Sequence, residues 1–566
     1  MMTNMTTNDA LKKWTRETLE IKGEMDFGLE HPVNMAFGDY STNVAMVCAK
    51  QYKKNPFELA EEFAVKLREK GNNEVEKVEA VRPGFINLIL KKEVFQDVVE
   101  KILEIGTHYG DHVRLSGQKM IVEYTQPNPF KEFHIGHLMN NVIGESITRI
   151  LEAHGTEITR ATYHGDVGIH VAKAIWGMQS METGSDMTVK EMGQAYALGA
   201  NMFETNEEIK KEITALNKKI YEQSDDEVTA LYDAGLKTSL EYFEKMYKRL
   251  GSVFNYHFYE SESGPIGAEI VKENIKTGIF EKSDEAVIFK GEKYGLHTRV
   301  FLNREGLPTY EAKELGLVEI KKDLIDFDLS ITITATEQDS FFKVVEKAET
   351  LVFSDLEGRV LHLSHGMMKL PGGKMSSRTG NVLTAENMID IVKVAASMKI
   401  QSRALSEFEK ETTAEIVALA ALKFTILRQA IGGDIVFDVD EALSLEGDSG
   451  PYLQYATVRA KTLIRKACDV VKPSTVFPAD WQTTNLERLL QRYPSVVLRA
   501  GQEYAPHILV TYLLQLSSEF NSFYATGKII DAENTHAPYK LAITQSFVNI
   551  MTAGLNLLGI AVPIEM

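Results

Sequence analysis

Apolar and polar positions change period several times along the chain, and those changes predict its elements. Met120-Ile121-Val122-Glu123-Tyr124 is a short apolar run of the length of a buried strand. After a polar loop, Leu138, Val142, Ile147, Ile150 and Leu151 fall on helical spacing, so this segment reads as strand, loop and helix N-terminus. Further strand-like runs at Thr159 to Tyr163, Ile331 to Thr336 and Arg359 to His365 alternate with helical patterns between about residues 115 and 390, as a nucleotide-binding sheet would. Between roughly 180 and 250 the alternation stops. Glu207 to Lys219 and Thr238 to Arg249 are charged and helical, which predicts an insertion in the sheet domain rather than a catalytic element.

Different patterns flank this region. Residues 1 to about 110 carry helical segments around Asp9 to Glu20 and Pro56 to Lys70, then an extended stretch from Val81 to Leu90. Beyond about residue 400 the chain turns almost wholly helical, which predicts a separate bundle. Leu541 to Ile564 holds no charge and is long enough to span a membrane, yet Gln545, Asn549, Thr552 and Asn556 recur at helical spacing. One face is therefore polar, and the stretch reads as a packed amphipathic helix. The fold class is α/β, in three units: an α+β module over 1–110, a Rossmann-like domain over 111–395 with its insertion, and an all-α bundle over 396–566.

Composition narrows the function without naming it. At 566 residues, 44% hydrophobic and 25% charged, the chain is ordinary globular protein with room for three or four domains of about 150 residues. A net charge of -18 repels a phosphate backbone at long range but permits a local basic stripe, for which Arg459, Lys461, Arg465 and Lys466 are candidates. Cys48 and Cys468 form no Cys-x-x-Cys, so neither a disulfide framework nor structural zinc is expected, and no metal site is assigned. Met1 to Thr6 lacks the basic and apolar regions of a signal peptide, which predicts a cytoplasmic location.

Two motifs carry the chemistry. His134-Ile135-Gly136-His137 opens the helix after the first strand, where backbone amides and the helix dipole favour an anionic phosphate and the imidazoles could donate to it. Gly136 lets a flat base or ribose approach the backbone. Pro371-Gly372-Gly373-Lys374-Met375-Ser376-Ser377-Arg378-Thr379-Gly380-Asn381 follows a probable strand end and combines glycines, a lysine point charge and hydroxyl donors that could close over a phosphate chain. Either motif alone also fits an ordinary helix start or a solvated basic loop; together, in this order, they point to one nucleotide site.

On these residues the chain resembles the class I aminoacyl-tRNA synthetases, and in detail the arginyl-tRNA synthetase family, over essentially its whole length. Glu123 to His137, with Pro127-Asn128 and Lys131 ahead of the histidines, is similar to the arginyl pattern. The resemblance implies ATP-dependent activation of L-arginine and its transfer to tRNA(Arg), with Mg²⁺ accompanying the ATP. His134, Gly136, His137, Lys374, Met375, Ser376 and Ser377 would bind ATP, His134 and His137 at the α-phosphate and Lys374 with Lys131 at the pyrophosphate. It implies Glu123 and Asn128 near the substrate's α-amino end and Tyr310, Glu314 and Gln338 around its body and guanidinium, with glutamate at 314 where aspartate is usual. His164 and Asp166, from a matching His-Gly-Asp-Val-Gly stretch, are expected to line the site.

For tRNA, the resemblance points to Phe85 and Asn87 at the tRNA elbow and to Tyr452, Tyr455, Arg459, Tyr524 and Met566 at the anticodon. Aromatic rings and guanidinium planes stack on splayed bases. A monomer without membrane association is expected. The rival readings are a class I synthetase for another amino acid, a nucleotidylyltransferase sharing the histidine motif, and an inactive RNA-binding paralogue. The arginyl-type segment opposes the first, the lysine loop and tyrosine-rich bundle the second, and intact His134, His137 and Lys374 the third.

Overall fold

In the computed structural model, which describes residues 6–22, 25–32, 34–181, 187–369, 384–401, 405–468 and 470–566, the first module closes around Leu11, Tyr40, Leu59, Phe63, Ile86 and Leu88, all fully buried. It comprises α1 (Thr7–Thr18), β1 (Leu29–Glu30), β2 (Tyr40–Thr42), α2 (Val44–Tyr52), α3 (Pro56–Lys70), β3 (Val75–Val81) and β4 (Phe85–Leu90), with an antiparallel sheet in the order β1-β2-β4-β3. The predicted helix over 56–70 forms because Asn55 caps it through Phe57 N–H at 2.9 Å and Pro56 suits its first turn. Residues 81–90, expected as one extended run, are instead the end of β3, a turn and β4, with Val81 paired to Phe85. Pro83-Gly84 supplies that turn.

Helix α4 (Lys92–Ile105) leads into the second unit. There β5 (Lys119–Glu123), α5 (Ile135–Glu152), β6 (Glu157–His164), α6 (Ile169–Ser180), α7 (Val189–Thr205), α8 (Glu207–Glu222), α9 (Asp226–Leu250), β7 (Tyr256–Tyr259) and α10 (Glu260–Glu273) follow in turn. A small antiparallel sheet of β8 (Glu281–Ser283), β9 (Ala286–Phe289) and β10 (Arg299–Leu302) precedes α11 (Tyr310–Leu324), β11 (Leu329–Ala335), α12 (Asp339–Val352) and β12 (Val360–His365). Five strands pair in parallel in the order β12-β11-β5-β6-β7. The apolar run at 120–124 is thus the central strand, covered on both faces, with Ile121 and Val122 fully buried. Strand order reverses at β5, so the crevice beyond its carboxyl end is where such sheets bind ligands. Between β6 and β7, α6 to α9 share a core of Val171, Ile175, Met192 and Ile213.

The last unit follows β13 (Met368–Lys369), α13 (Ala385–Ile400), α14 (Glu407–Arg428), β14 (Ile435–Val436) and α15 (Val439–Ala442). It consists of α16 (Gly450–Ala467), α17 (Asn485–Gln502), α18 (Pro506–Ala525) and α19 (Ala537–Leu557), with Phe520 and Phe547 stacked 4.0 Å apart between the last two. The uncharged stretch at 541–564 lies mostly in α19, whose polar positions dock on the second unit: Asn549 Nδ2 donates to Ile102 O at 3.2 Å and Asn556 Oδ1 accepts from Arg149 at 3.0 Å. No helix among the described residues is long and apolar enough to cross a membrane.

Candidate active site

The loop from β5 to α5 lies across the crevice, and three of its non-glycine residues, Thr125, Gln126 and Phe130, have positive φ. Such backbone persists only where its surroundings over-determine it. Thr125 Oγ1 accepts from Asn141, Gln126 N–H donates to Thr162 Oγ1, and Phe130 N–H donates to Ser239 Oγ at 2.9 Å. Ser239 belongs to α9. The insertion therefore holds the loop that carries the first motif.

His134 is the N-cap of α5, and the two histidines cap the helix reciprocally: His134 N–H donates to His137 Nδ1 at 3.2 Å, and His137 N–H to His134 Nδ1 at 3.4 Å. Their rings stack with centroids 3.4 Å apart. Because both Nδ1 atoms accept, each neutral ring carries its proton on Nε2, free to donate to an anion at the helix N-terminus. Burial lowers His134 to about 4 and pushes His137 well below the usual imidazole range, so both are neutral near pH 7. A Cβ on Gly136 would lie 2.9 Å from the His134 ring. The glycine thus makes room for the histidine stack.

Lys131 Nζ lies 4.1 Å from the centroid of Tyr196, a residue of α7, and burial lowers the lysine to about 8. Lys374, Met375, Ser376 and Ser377 lie outside the described residues. The chain on either side of them is placed: Met368 and Lys369 pair with Ile435 and Val436, while Thr384 bridges His134 and Ala385 N–H donates to Phe133 O at 2.8 Å. Thr384 and Ala385 thus lie beside the first motif.

Another part of the crevice is acidic. Glu123, at the carboxyl end of β5 and 1% exposed, accepts from Gln126 Nε2 at 2.6 Å and pairs with Lys321 Nζ of α11 at 2.6 Å. Asn128 Oδ1 and Glu260 flank Gly165, where a Cβ would meet them at 2.5 and 3.2 Å. Glu260 is held by Lys313, whose ammonium also lies 5.3 Å from the Tyr310 ring centroid. Tyr310 and Gln338 are exposed at the rim, and Glu314 is partly buried below them. Burial, then the neighbouring Glu123, raises the Glu314 carboxyl well above its usual range.

Two of the expected residues lie deep. His164 is fully buried, with Nδ1 on Pro127 O at 2.8 Å and Nε2 on His257 at 3.1 Å. Asp166, 1% exposed, accepts from Ser261 N–H and from the Tyr232 hydroxyl at 2.8 Å. Both side chains are buried and are tied to partly buried neighbours. The insertion, expected to stand apart from the chemistry, supplies Tyr196 and Tyr232 as neighbours of Lys131 and Asp166. Sequence reading also missed Lys321 and Glu349. Lys321 was legible as the cation two turns beyond Glu314 on one helix face, and Glu349 as an acid in an apolar stripe.

In the flanking units, Phe85 keeps an open face, 36% exposed, but Asn87 is 4% exposed and accepts from the Ser41 hydroxyl at 2.7 Å. In the bundle, Arg459 stacks 3.8 Å over Tyr524, and Asn521 Nδ2 donates to the Tyr452 hydroxyl at 3.0 Å. Tyr455 shares the α16 face of Tyr452 and Arg459, and Met566 packs partly buried against the bundle core.

Comparison with known proteins agrees with this arrangement. The family described as tRNA synthetases class I (R), catalytic domain, matches residues 98–439; the DALR anticodon binding domain matches 453–566, and the arginyl tRNA synthetase N terminal domain matches 6–90. An arginine–tRNA ligase of Borrelia turicatae is 29% identical over 81% of this chain and 83% of its own length, and one of Fusobacterium nucleatum 29% identical over 94% and 93%. The Thermus thermophilus arginyl-tRNA synthetase structure superposes with a TM-score of 0.82 at 22% identity, covering 99% of this chain and 100% of that one.

Proposed function

Since the chain belongs to the arginyl branch of the class I tRNA synthetases, we propose that its strand-end crevice holds ATP at His134 and His137 and L-arginine among Glu123, Asn128, Tyr310, Glu314 and Gln338. The enzyme is an arginine–tRNA ligase, charging tRNA(Arg) with arginine at the expense of ATP. An arginine carboxylate oxygen attacks the α-phosphorus, the bond to the β-phosphate oxygen breaks, and pyrophosphate leaves. A hydroxyl of the terminal ribose then attacks the acyl carbon and releases AMP. No protein nucleophile takes part, so catalysis is placement and charge stabilisation.

The reciprocal histidine cap carries this reading. It fixes two neutral imidazoles with their Nε2–H groups available at a helix N-terminus, where a phosphate is favoured without a buried cation. Lys131 stands close by for the pyrophosphate, and Lys374 with its neighbours Met375, Ser376 and Ser377 would join it. The groups around the phosphate position are nitrogen donors, which suit phosphate oxygens and not a metal ion. Mg²⁺ would therefore be carried by the nucleotide's phosphates, neutralising their charge. Phe85 would meet the tRNA elbow, and Tyr452, Tyr455, Arg459, Tyr524 and Met566 the anticodon. A cytoplasmic monomer is the state we assign.

Amino-acid-dependent ATP–pyrophosphate exchange across the twenty amino acids, with and without total tRNA, tests the proposal. Exchange with arginine alone, requiring tRNA, is expected. Exchange with another amino acid, or none despite bound ATP, would overturn it. Lys374→Ala should depress the exchange rate strongly at nearly unchanged tRNA affinity; an unchanged rate would assign the pyrophosphate to Lys131 alone.

A further inference from the structure

The inward face of α12 is largely apolar, with Glu346 at its edge. Phe342, Val345 and Ala348 are buried there, and so is Glu349, 7% exposed. A carboxylate in such a stripe is either an error of packing or a group kept for a ligand. Glu349 lines a narrow cleft of about 20 Å³ between α11 and α12, shared with Glu314, Lys321, Glu346, Thr332 and His362.

Charge in this cleft does not balance. Its one ammonium, Lys321, is engaged by Glu123, and neither Glu314 nor Glu349 forms an ion pair among the described residues. His362, from β12, stacks on Phe342 at 4.1 Å and bonds Thr334 Oγ1 at 2.7 Å, and burial lowers it to about 4, so it supplies no cation. Glu314 and Glu349 on facing helices, with Glu346 beside them, therefore await a positive group from outside.

We propose that Glu349 is a specificity-determining residue for the amino-acid substrate, its carboxylate on α12 and that of Glu314 on α11 together taking the edges of the arginine guanidinium. This rests on the placement of the guanidinium at Glu314 given above. A guanidinium presents five donors in a plane and can meet two carboxylates at once. A lysine ammonium, a compact point charge, matches this two-sided planar geometry poorly, and neutral citrulline would leave both acids without a counter-charge, so the pair rejects both.

The empty cleft keeps a proton in place of that cation. Burial, aided by Glu346 and Glu123 and opposed by Lys321, holds the Glu349 carboxyl up at about 8. Glu314 is raised by burial, by Glu123 and by Glu349 itself, with Glu260 of α10 adding to it. Arginine binding must expel this proton, so the KM for arginine should fall as pH rises from 6.5 toward 8.

The test is arginine-dependent pyrophosphate exchange with tRNA present, reading KM for arginine and for ATP between pH 6.5 and 8.5 in wild type, Glu349→Gln, Glu349→Leu and Glu314→Gln. Glu349→Gln should raise the arginine KM about tenfold to a hundredfold, leave the ATP KM within about twofold and shrink the pH dependence. Glu349→Leu suits the apolar stripe, should fold at least as stably, and should show the same loss. An arginine KM unchanged in both Glu349 variants while Glu314→Gln loses arginine would overturn the role of Glu349 alone. Unchanged values in all three would overturn the guanidinium placement with it, and a wild-type KM flat over this pH range would also refute the proposal.

Discussion

His134 and His137 stack with ring centroids 3.4 Å apart, each ring accepting the other residue's backbone N–H. One pair of side chains thus caps the helix, and in the proposed function it also meets the phosphate; it can do so only while both rings are neutral. Protonating either Nδ1 breaks a cap bond, and protonating both sets two cations in contact.

Stability should therefore decline in acid. His134, His164, His170 and His362 are all lowered to about 4, chiefly by burial. In the unfolded chain each takes up a proton near pH 6.5, whereas the folded chain resists until about pH 4, so the unfolded state binds more protons in between. The expected outcome is a urea midpoint that falls between pH 7 and pH 5 with no change of slope. His164→Asn, which retains a donor for Pro127 O, should weaken that fall, and a midpoint independent of pH would contradict the buried neutral rings.

Tyr196 should act on catalysis through Lys131. The ammonium lies 4.1 Å from the ring centroid, and a cation over a desolvated ring gains on the order of 1 to 2 kcal/mol. Tyr196→Phe keeps the ring and should leave ATP binding within about twofold; Tyr196→Ala should raise the ATP KM about fivefold to thirtyfold by the same magnitude. The pH profile separates this from a packing defect. Lys131 sits at about 8, so wild-type exchange should decline above pH 8 as the charge is lost, and the decline should move to higher pH when Tyr196→Ala lets water reach the lysine.

Much of this was legible in the chain, and the omissions have a common cause. The run at 120–124, the helix after it and the motif at 134–137 announce a strand, a helix N-terminus and a phosphate site through local periodicity, because the forces that form them act within a few residues. His164 and Asp166 were expected to line the site, and the fold buries both. Their partners His257 and Tyr232 are far away in sequence, so only the closed fold shows these hydrogen bonds. The hairpin at 81–90 was visible in Pro83-Gly84 and was read through. Glu349 was visible too, as an acid on the Phe342, Val345 and Ala348 face, but its meaning depends on Glu314 standing across the cleft.

The bundle offers a prediction for RNA. The Arg459 guanidinium carbon lies 3.8 Å from the Tyr524 ring centroid, and Asn521 ties Tyr452 into the same surface, so the guanidinium is held in place for stacking. Arg459→Ala and Tyr524→Ala should each weaken tRNA binding about fivefold to a hundredfold, as the loss of one stacked base would. Because the two share one contact, the double variant should lose less than the product of the single effects. Filter binding at fixed salt measures this, and fully independent effects would count against a shared stacking surface.

A last prediction concerns the joint between the first module and the bundle. Asp39, 2% exposed, accepts Leu90 N–H at 2.7 Å and pairs with Arg488 of α17, while Gln491 of α17 donates to the Tyr40 hydroxyl at 2.8 Å. Two adjacent residues of the module thus dock on one face of the bundle helix. Arg488→Ala leaves a buried carboxylate without its cation, which costs about 3 to 5 kcal/mol, whereas exchanging both partners for uncharged groups of similar size costs far less. Calorimetry should show the module melting ahead of the rest in Arg488→Ala, and near-normal melting in Asp39→Asn combined with Arg488→Met. If the double variant melts as early as the single one, the joint depends on the packing of Arg488 over Phe95, 5.3 Å away, and not on the ion pair.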